Sequence, residues 1–244
     1  MSEEGEKGVT AVTSTAKQQP QTTILMRLMR SAWILPLLAV LAIAAFVIFR
    51  PIQVLPRITL SPGYVLADQD GNRLTSEDMR GKITLYNFTY TNCQPPSCTP
   101  VTPFMQSLQT RLPEVAGSVP IEFVTISIDP EHDTPQVLAA YAHELGADLD
   151  TWHVVTGSSE RLKWVIGGGF GLYYDQRDDG TFTLDTGMML VDWTGTLRAE
   201  YLRSLPDIDI VLRDLRLLQE EVVNSQGAGR IAYEAAHLFA CYPR

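Results

Sequence analysis

The sequence predicts an α/β domain of thioredoxin-like arrangement behind one N-terminal transmembrane helix, on three observations. "KITLYNFT" (Lys82 to Thr89) and "IEFVTISI" (Ile121 to Ile128) are β-branched, aromatic and almost continuously apolar, as buried parallel strands are. Late in the chain "GMMLVD" and "TLRAEYL" flank the turn "WTG", a hairpin followed by a helix after Pro206. Ahead of all this, Ser31 to Phe49 runs without a charge, roughly 28 Å of helix and about one hydrocarbon core. The chain's 244 residues, 45% hydrophobic and 19% charged, hold one domain of ordinary size plus appendages. A net charge of -9 excludes the basic face a nucleic-acid partner requires.

Taken in order, residues 1–23 are rich in Ser, Thr, Glu, Gln and Gly, with too little to bury to offset the entropy of ordering, and read as a disordered tail. Residues 24–50 form the membrane anchor. A cleaved signal peptide is the rival, because Ala42 to Ala44 resembles a cleavage site, but the apolar run continues past it to Phe49. Lys17, Arg27 and Arg30 precede the span and Arg50 and Arg57 follow it, which biases the N-terminus to the cytoplasmic side. Residues 51–62 carry prolines and no period and read as a linker. The domain proper is 63–222. It opens with "YVLADQDGNRLT", where Asp70-Gly71 marks a hairpin turn. A helix is expected over Pro100 to Leu112, and a second opening at Thr134 with Pro135 first and Val137, Leu138, Tyr141 and Leu145 on one face. The strand "WHVVTG" and a helix from Ser158 lead into the late hairpin. Residues 223–244 form a C-terminal docking tail in which Ile231, Ala235, Leu238 and Phe239 share a helical face. A protein partner ranks first as its occupant and the chain's own domain close behind.

Two of the chain's three cysteines, Cys93 and Cys98, stand in "FTYTNCQPPSCTP" just after the first buried strand. In parallel α/β folds functional groups gather at the carboxyl ends of strands, so the pair lies at the working edge. Thr99 as N-cap and Pro100 as first helical residue would place Cys98 at a helix N-terminus, where the dipole favours a thiolate. Five positions apart on a helix the two would diverge by about 140°. Pro95 and Pro96 instead favour an extended loop that can bring the sulfurs together. A disulfide staple, a soft-metal site and a redox pair are all open to such a loop, though so short a closure contributes little as a staple.

"LYNFTYTNCQPPSCTP", "FVTISIDPEHDTPQVLAAYAHEL", "WHVVTG" and "GMMLVDWTGTLRAEY", over roughly residues 57–222, resemble the Sco (SenC) family of thioredoxin-like copper proteins for cytochrome c oxidase assembly. The resemblance implies a single N-terminal membrane helix and a domain on the periplasmic or extracytoplasmic side. It also implies copper held by Cys93 and Cys98, and a respiratory oxidase or other electron-transfer membrane complex as partner. The chain departs from the family pattern twice: four residues separate its cysteines where three are usual, and Thr186 follows Asp185 where the family places a copper-binding histidine.

His132, in the loop "DPEHDTP", is the candidate replacement ligand, since that loop should emerge beside Cys93; a solvated loop histidine is the plainer reading. Met188 and Met189 read as one core and one surface residue, His153 as structural and His143 as surface, and His237 with Cys241 makes a poor metal case. Three functions fit. The first is a metallochaperone without turnover, delivering copper or reducing equivalents while Cys93 and Cys98 hold copper(I). The second is a structural or accessory subunit of a membrane electron-transfer complex with a degenerate copper site. The third is a thiol-disulfide oxidoreductase in which Cys93 and Cys98 attack and resolve a partner disulfide.

Overall fold

The computed structural model describes residues 33–49, 52–95, 101–227 and 229–239. The chain divides into two units, residues 1–50 and 51–244. In the first, α1 (Ile34–Phe49) is an uncharged helix of 16 residues, apolar on every side. It is roughly 24 Å long, and Ser31 and Ala32, the start of the expected span, lie outside the described residues. Among the described residues no helix is long and apolar enough to cross a membrane.

The second unit is built on an eight-stranded sheet. Its strands are β1 (Thr59–Leu60), β2 (Val65–Asp68), β3 (Arg73–Thr75), β4 (Ile83–Thr89), β5 (Ile121–Ser127), β6 (Trp152–Thr156), β9 (Gly187–Val191) and β10 (Thr196–Leu202), in the spatial order β1-β10-β9-β4-β5-β6-β2-β3. A separate small hairpin joins β7 (Tyr174–Gln176) and β8 (Phe182–Leu184). β4, β5 and β6 run parallel, and β9 lies antiparallel to β4 with Asn87 opposite Met188. Every residue of β4 and β5 is buried, as their largely apolar sequences suit strands covered on both faces.

On one face Leu85, Phe123, Val154 and Met188 pack under α2 (Thr102–Arg111), α3 (Pro135–Leu145) and α5 (Ile208–Asn224). On the other, Tyr86, Val124, Val155 and Met189 pack under α4 (Ser159–Leu162) and the π-helical turn that continues it, Lys163–Gly169. Met188 and Met189 are thus both fully buried, one on each face, because β9 is an interior strand; the expected surface methionine does not exist. The β9–β10 hairpin turns where Asp192 Oδ1 accepts from the Thr194 and Thr196 amides, and Gly195 adopts the φ of 82° this turn demands.

Three expectations are corrected. α2 begins at Thr102 behind an uncapped Val101, two residues after the predicted start; Thr99 and Pro100 lie outside the described residues. The stretch read as a linker is partly packed: Leu55 is fully buried and β1 pairs with β10. In α3, Val137 is exposed and Ala142 takes its place in the core, since Leu138, Ala142 and Leu145 are the positions that reach the sheet.

The described part of the tail, α6 (Gly229–Phe239), docks on its own domain. Ala236 is buried, His237 Nε2 contacts Glu221 Oε1 at 3.0 Å, and Arg57 pairs with Glu234 at 3.2 Å. Of the face expected to dock, Ile231 and Leu238 are each 78% exposed and Ala235 is half-buried. Cys241 lies outside the described residues.

Candidate metal and thiol site at the carboxyl edge of the sheet

β4 and β5 end in register, Thr89 beside Ser127, so the loops that follow leave the same edge together. The first loop turns at once. Tyr90 is buried against Phe182, with ring centroids 5.4 Å apart, and its carbonyl accepts from the Cys93 amide at 3.0 Å. Cys93 is half-buried against the Tyr86 side of the core and engaged rather than free. Cys98 lies outside the described residues.

The second loop, Ile128 to Thr134, is bound to the first. Ile128 donates its amide to the Thr89 carbonyl at 2.9 Å. Asp133, fully buried, accepts from the Thr91 amide at 3.0 Å, from the Thr91 hydroxyl and from the Ser127 hydroxyl. These donors stabilise the carboxylate in a place where an unsatisfied charge would be costly. Asp129, also buried, faces His132 Nδ1 at 2.9 and 3.1 Å through its two carboxylate oxygens. The His132 side chain itself is 71% exposed, and the hydrogen bond and charge of Asp129 raise its pKa above the ordinary value. In the neutral ring a proton on Nδ1 facing Asp129 leaves the lone pair on Nε2, the arrangement that orients imidazoles toward metals. A small cavity of about 100 Å³ adjoins this loop, lined by Asp129, Glu131, Lys163, Tyr174 and Phe182 among others.

Thr186 closes the edge. β9 runs antiparallel to β4, so the residues just before Gly187 stand beside the end of β4, where the cysteine loop departs. Thr186 is half-buried, and its carbonyl accepts from the Arg203 amide at 2.9 Å, with Arg203 in the left-handed region at φ 73°. His153, by contrast, sits at the opposite end of the strands. It contacts Glu122 at 3.2 Å, which Lys82 also binds at 2.6 Å, and the group is structural as expected. His143 is exposed on α3. Among the described residues no cluster of three or more His, Cys, Asp or Glu is arranged to hold a metal ion. The edge therefore brings Cys93, His132 and Thr186 to neighbouring loops. Thr91 and Asp133, which sequence reasoning did not single out, fix the two loops against each other, and Asp129, also missed, holds His132 within the second.

The profile of the family described as SCO1/SenC matches residues 55–218. A SCO1 protein homolog of Bacillus subtilis is 32% identical over 97 residues, 40% of this chain and 49% of that protein. The chain matches half or less of the length of its first curated relatives. The crystal structure of a SCO1/SenC family lipoprotein from Bacillus anthracis superposes with a TM-score of 0.59 at 27% identity, covering 66% of this chain and 95% of that one. Arabidopsis thaliana ScoI with copper bound superposes at 0.56 and 27% identity, covering 64% and 98%.

Proposed function

Because the chain belongs to the SCO1/SenC family, its residues 55–218 matching the family profile, we propose that it is a copper-binding, thiol-redox assembly protein for a respiratory oxidase copper centre. Copper is the cargo. Cys93 and Cys98 are its thiolate ligands, and His132 supplies an imidazole from the adjacent loop. The observation that carries the reading is the junction of the two loops, Thr91 to Asp133, which seats Cys93 and His132 on one edge of the sheet. The residue types fit the cargo: thiolates are the soft ligands copper(I) prefers, and a carboxylate-held imidazole is a ready third donor. The relative from Arabidopsis thaliana that carries copper supports the same reading.

Copper delivery needs the pair reduced, and the bonded sulfur of Cys93 supports a cycle in which Cys93 and Cys98 form a disulfide and are reopened by thiol exchange. Anchoring is assigned to residues 24–50, with the uncharged α1 as its core and the domain of residues 63–222 outside the cytoplasm. Support comes from α1's composition and from the lipoprotein nature of the Bacillus anthracis relative. The partner is then cytochrome c oxidase or another membrane electron-transfer complex.

The test is anaerobic loading of the reduced full chain with copper(I), followed by metal analysis. One copper per chain, lost in Cys93→Ser and in Cys98→Ser and weakened in His132→Ala, is the expected result. No retained copper, with the Cys93 and Cys98 pair still exchanging disulfides, would replace copper delivery by thiol-disulfide exchange alone.

A further inference from the structure

Away from the cysteine edge, an open groove of about 750 Å³ runs between the β2–β3 hairpin and the π-helical turn, lined by Tyr64, Val65, Arg73, Arg161, Trp164 and Val165 among others. A shallower hollow of about 470 Å³ lies across Trp164, bounded by Lys163 and Gly168. The turn directs Val165 and Ile166 into the core and leaves Trp164 as a ridge between the two, 73% exposed. An indole left this open is an unusual use of a large apolar side chain, and π-helical turns recur at functional sites.

The charges around it are just as selective. Glu77 at the groove wall is paired with Arg80 at 3.5 Å, and Lys163 lies 3.7 Å from Asp175. Arg73 and Arg161 are exposed and have no ion-pair partner among the described residues. A chain of net charge -9 thus lines one groove with an open tryptophan and two exposed guanidiniums outside any close ion pair, of which Arg73 acts at longer range on Asp78. Arg and Trp are the residues that anchor protein interfaces, and guanidinium forks match carboxylates bidentately.

We propose that this groove docks an acidic segment of a partner protein, its carboxylates on Arg73 and Arg161 and an apolar side chain against Trp164. Charge complementarity selects that occupant. The concavity disfavours an anionic lipid surface, which meets a flat basic face. Self-repulsion disfavours a second copy of this chain. The docking is independent of copper or thiol chemistry, so it stands or falls apart from the function proposed above.

The test uses the full chain in phosphatidylcholine nanodiscs and a fluorescein-labelled peptide of sequence Glu-Glu-Leu-Phe-Glu-Glu, followed by anisotropy. Saturable binding is expected, weakened about tenfold by Arg73→Glu or Arg161→Glu, weakened by Trp164→Ala and by added salt, and absent for the peptide with Lys in place of Glu. Unchanged melting temperatures keep these surface variants interpretable. Failure of the acidic peptide to bind, or equal binding by Arg73→Glu/Arg161→Glu, overturns the proposal. So does co-sedimentation with phosphatidylglycerol vesicles lost in those variants while the peptide stays unbound, or a concentration-dependent dimer abolished by Trp164→Ala.

Discussion

Thr91 and Asp133 are joined twice, the Thr91 amide donating to one carboxylate oxygen at 3.0 Å and the Thr91 hydroxyl to the other. Between them they fix the height of the Cys93 loop over the His132 loop. Asp133→Ala removes the acceptor for those donors and for the Ser127 hydroxyl proton, a loss of roughly 2–4 kcal/mol. Urea unfolding measures that cost. The reduction potential of the Cys93 and Cys98 pair separates positioning from mere stability: Thr91→Val should shift it, and Thr91→Ser, which keeps both donors, should not. A potential unmoved by Thr91→Val would mean that the loop holds its sulfurs by other means.

Arg198 is the largest charged group wholly inside the domain. Its guanidinium reaches Asp192 at 2.9 Å and Glu221 at 2.7 Å and donates to the carbonyls of Leu55 and Pro56 at 2.7 and 3.1 Å. The network ties the hairpin, α5 and the segment before β1. Removing the cation by Arg198→Ala strands two buried carboxylates, and a destabilisation of about 3–5 kcal/mol is expected in denaturant titration. Arg198→Lys keeps the charge without the fork and should fall between. A loss under about 1 kcal/mol for the alanine variant would show that water reaches the site.

Glu221 gives the same network an acid limit. Burial resists its ionisation, but hydrogen bonds from His237 and Arg198 outweigh that and lower its pKa below the ordinary 4.5. A depressed folded-state pKa contributes stability that is present above the unfolded value and disappears as pH falls through the folded one. Wild type should therefore hold its advantage over Glu221→Gln from neutrality down to about pH 5 and lose it progressively in more acid solution. Thermal midpoints across that range provide the check, and a difference between the two proteins that is constant with pH would refute the assignment.

What the sequence disclosed and what it concealed follow from the range of the interactions. Lys82 to Thr89 and Ile121 to Ile128 were legible because a strand buried on both faces is predominantly apolar, its few polar residues being paired within the fold, as Glu122 is with Lys82. Asp70-Gly71 and "WTG" were legible because turn chemistry is local. β1 was not, since two residues in a proline-rich stretch carry no period and owe their conformation to β10. Nor was the β7–β8 hairpin, which alternates weakly among polar residues. At the site, the rule for strand ends placed Cys93 and His132 on one edge, but Thr91 and Asp133 are ordinary loop residues 42 positions apart, joined only through the pairing of β4 with β5. In the tail, the residues that reach the domain are Ala236, by burial, and His237, by its contact with Glu221, while the apolar Ile231 and Leu238 stay outside, which a count of apolar residues does not reveal.

Thr186 tests the copper reading itself. The antiparallel register of β9 on β4, Asn87 opposite Met188, carries Thr186 to the end of β4 from which the Cys93 loop departs. Its backbone is fixed there by the Arg203 amide at 2.9 Å, so a side chain at this position has a defined origin. A histidine in its place would add a second imidazole to the two thiolates and His132, a gain for copper(II), which favours imidazole, and little for copper(I), which the existing three donors already satisfy. Thr186→His should accordingly raise copper(II) affinity about tenfold or more while leaving copper(I) affinity nearly level, as read by competition titration of the reduced full chain. His132→Ala sharpens the outcome. In the wild type it should lower copper(I) retention, and in the Thr186→His background the new imidazole should make it nearly silent. If Thr186→His gains nothing for copper(II), the position does not face the sulfurs; if His132→Ala is silent in both backgrounds, Asp129 holds an imidazole that never reaches the metal.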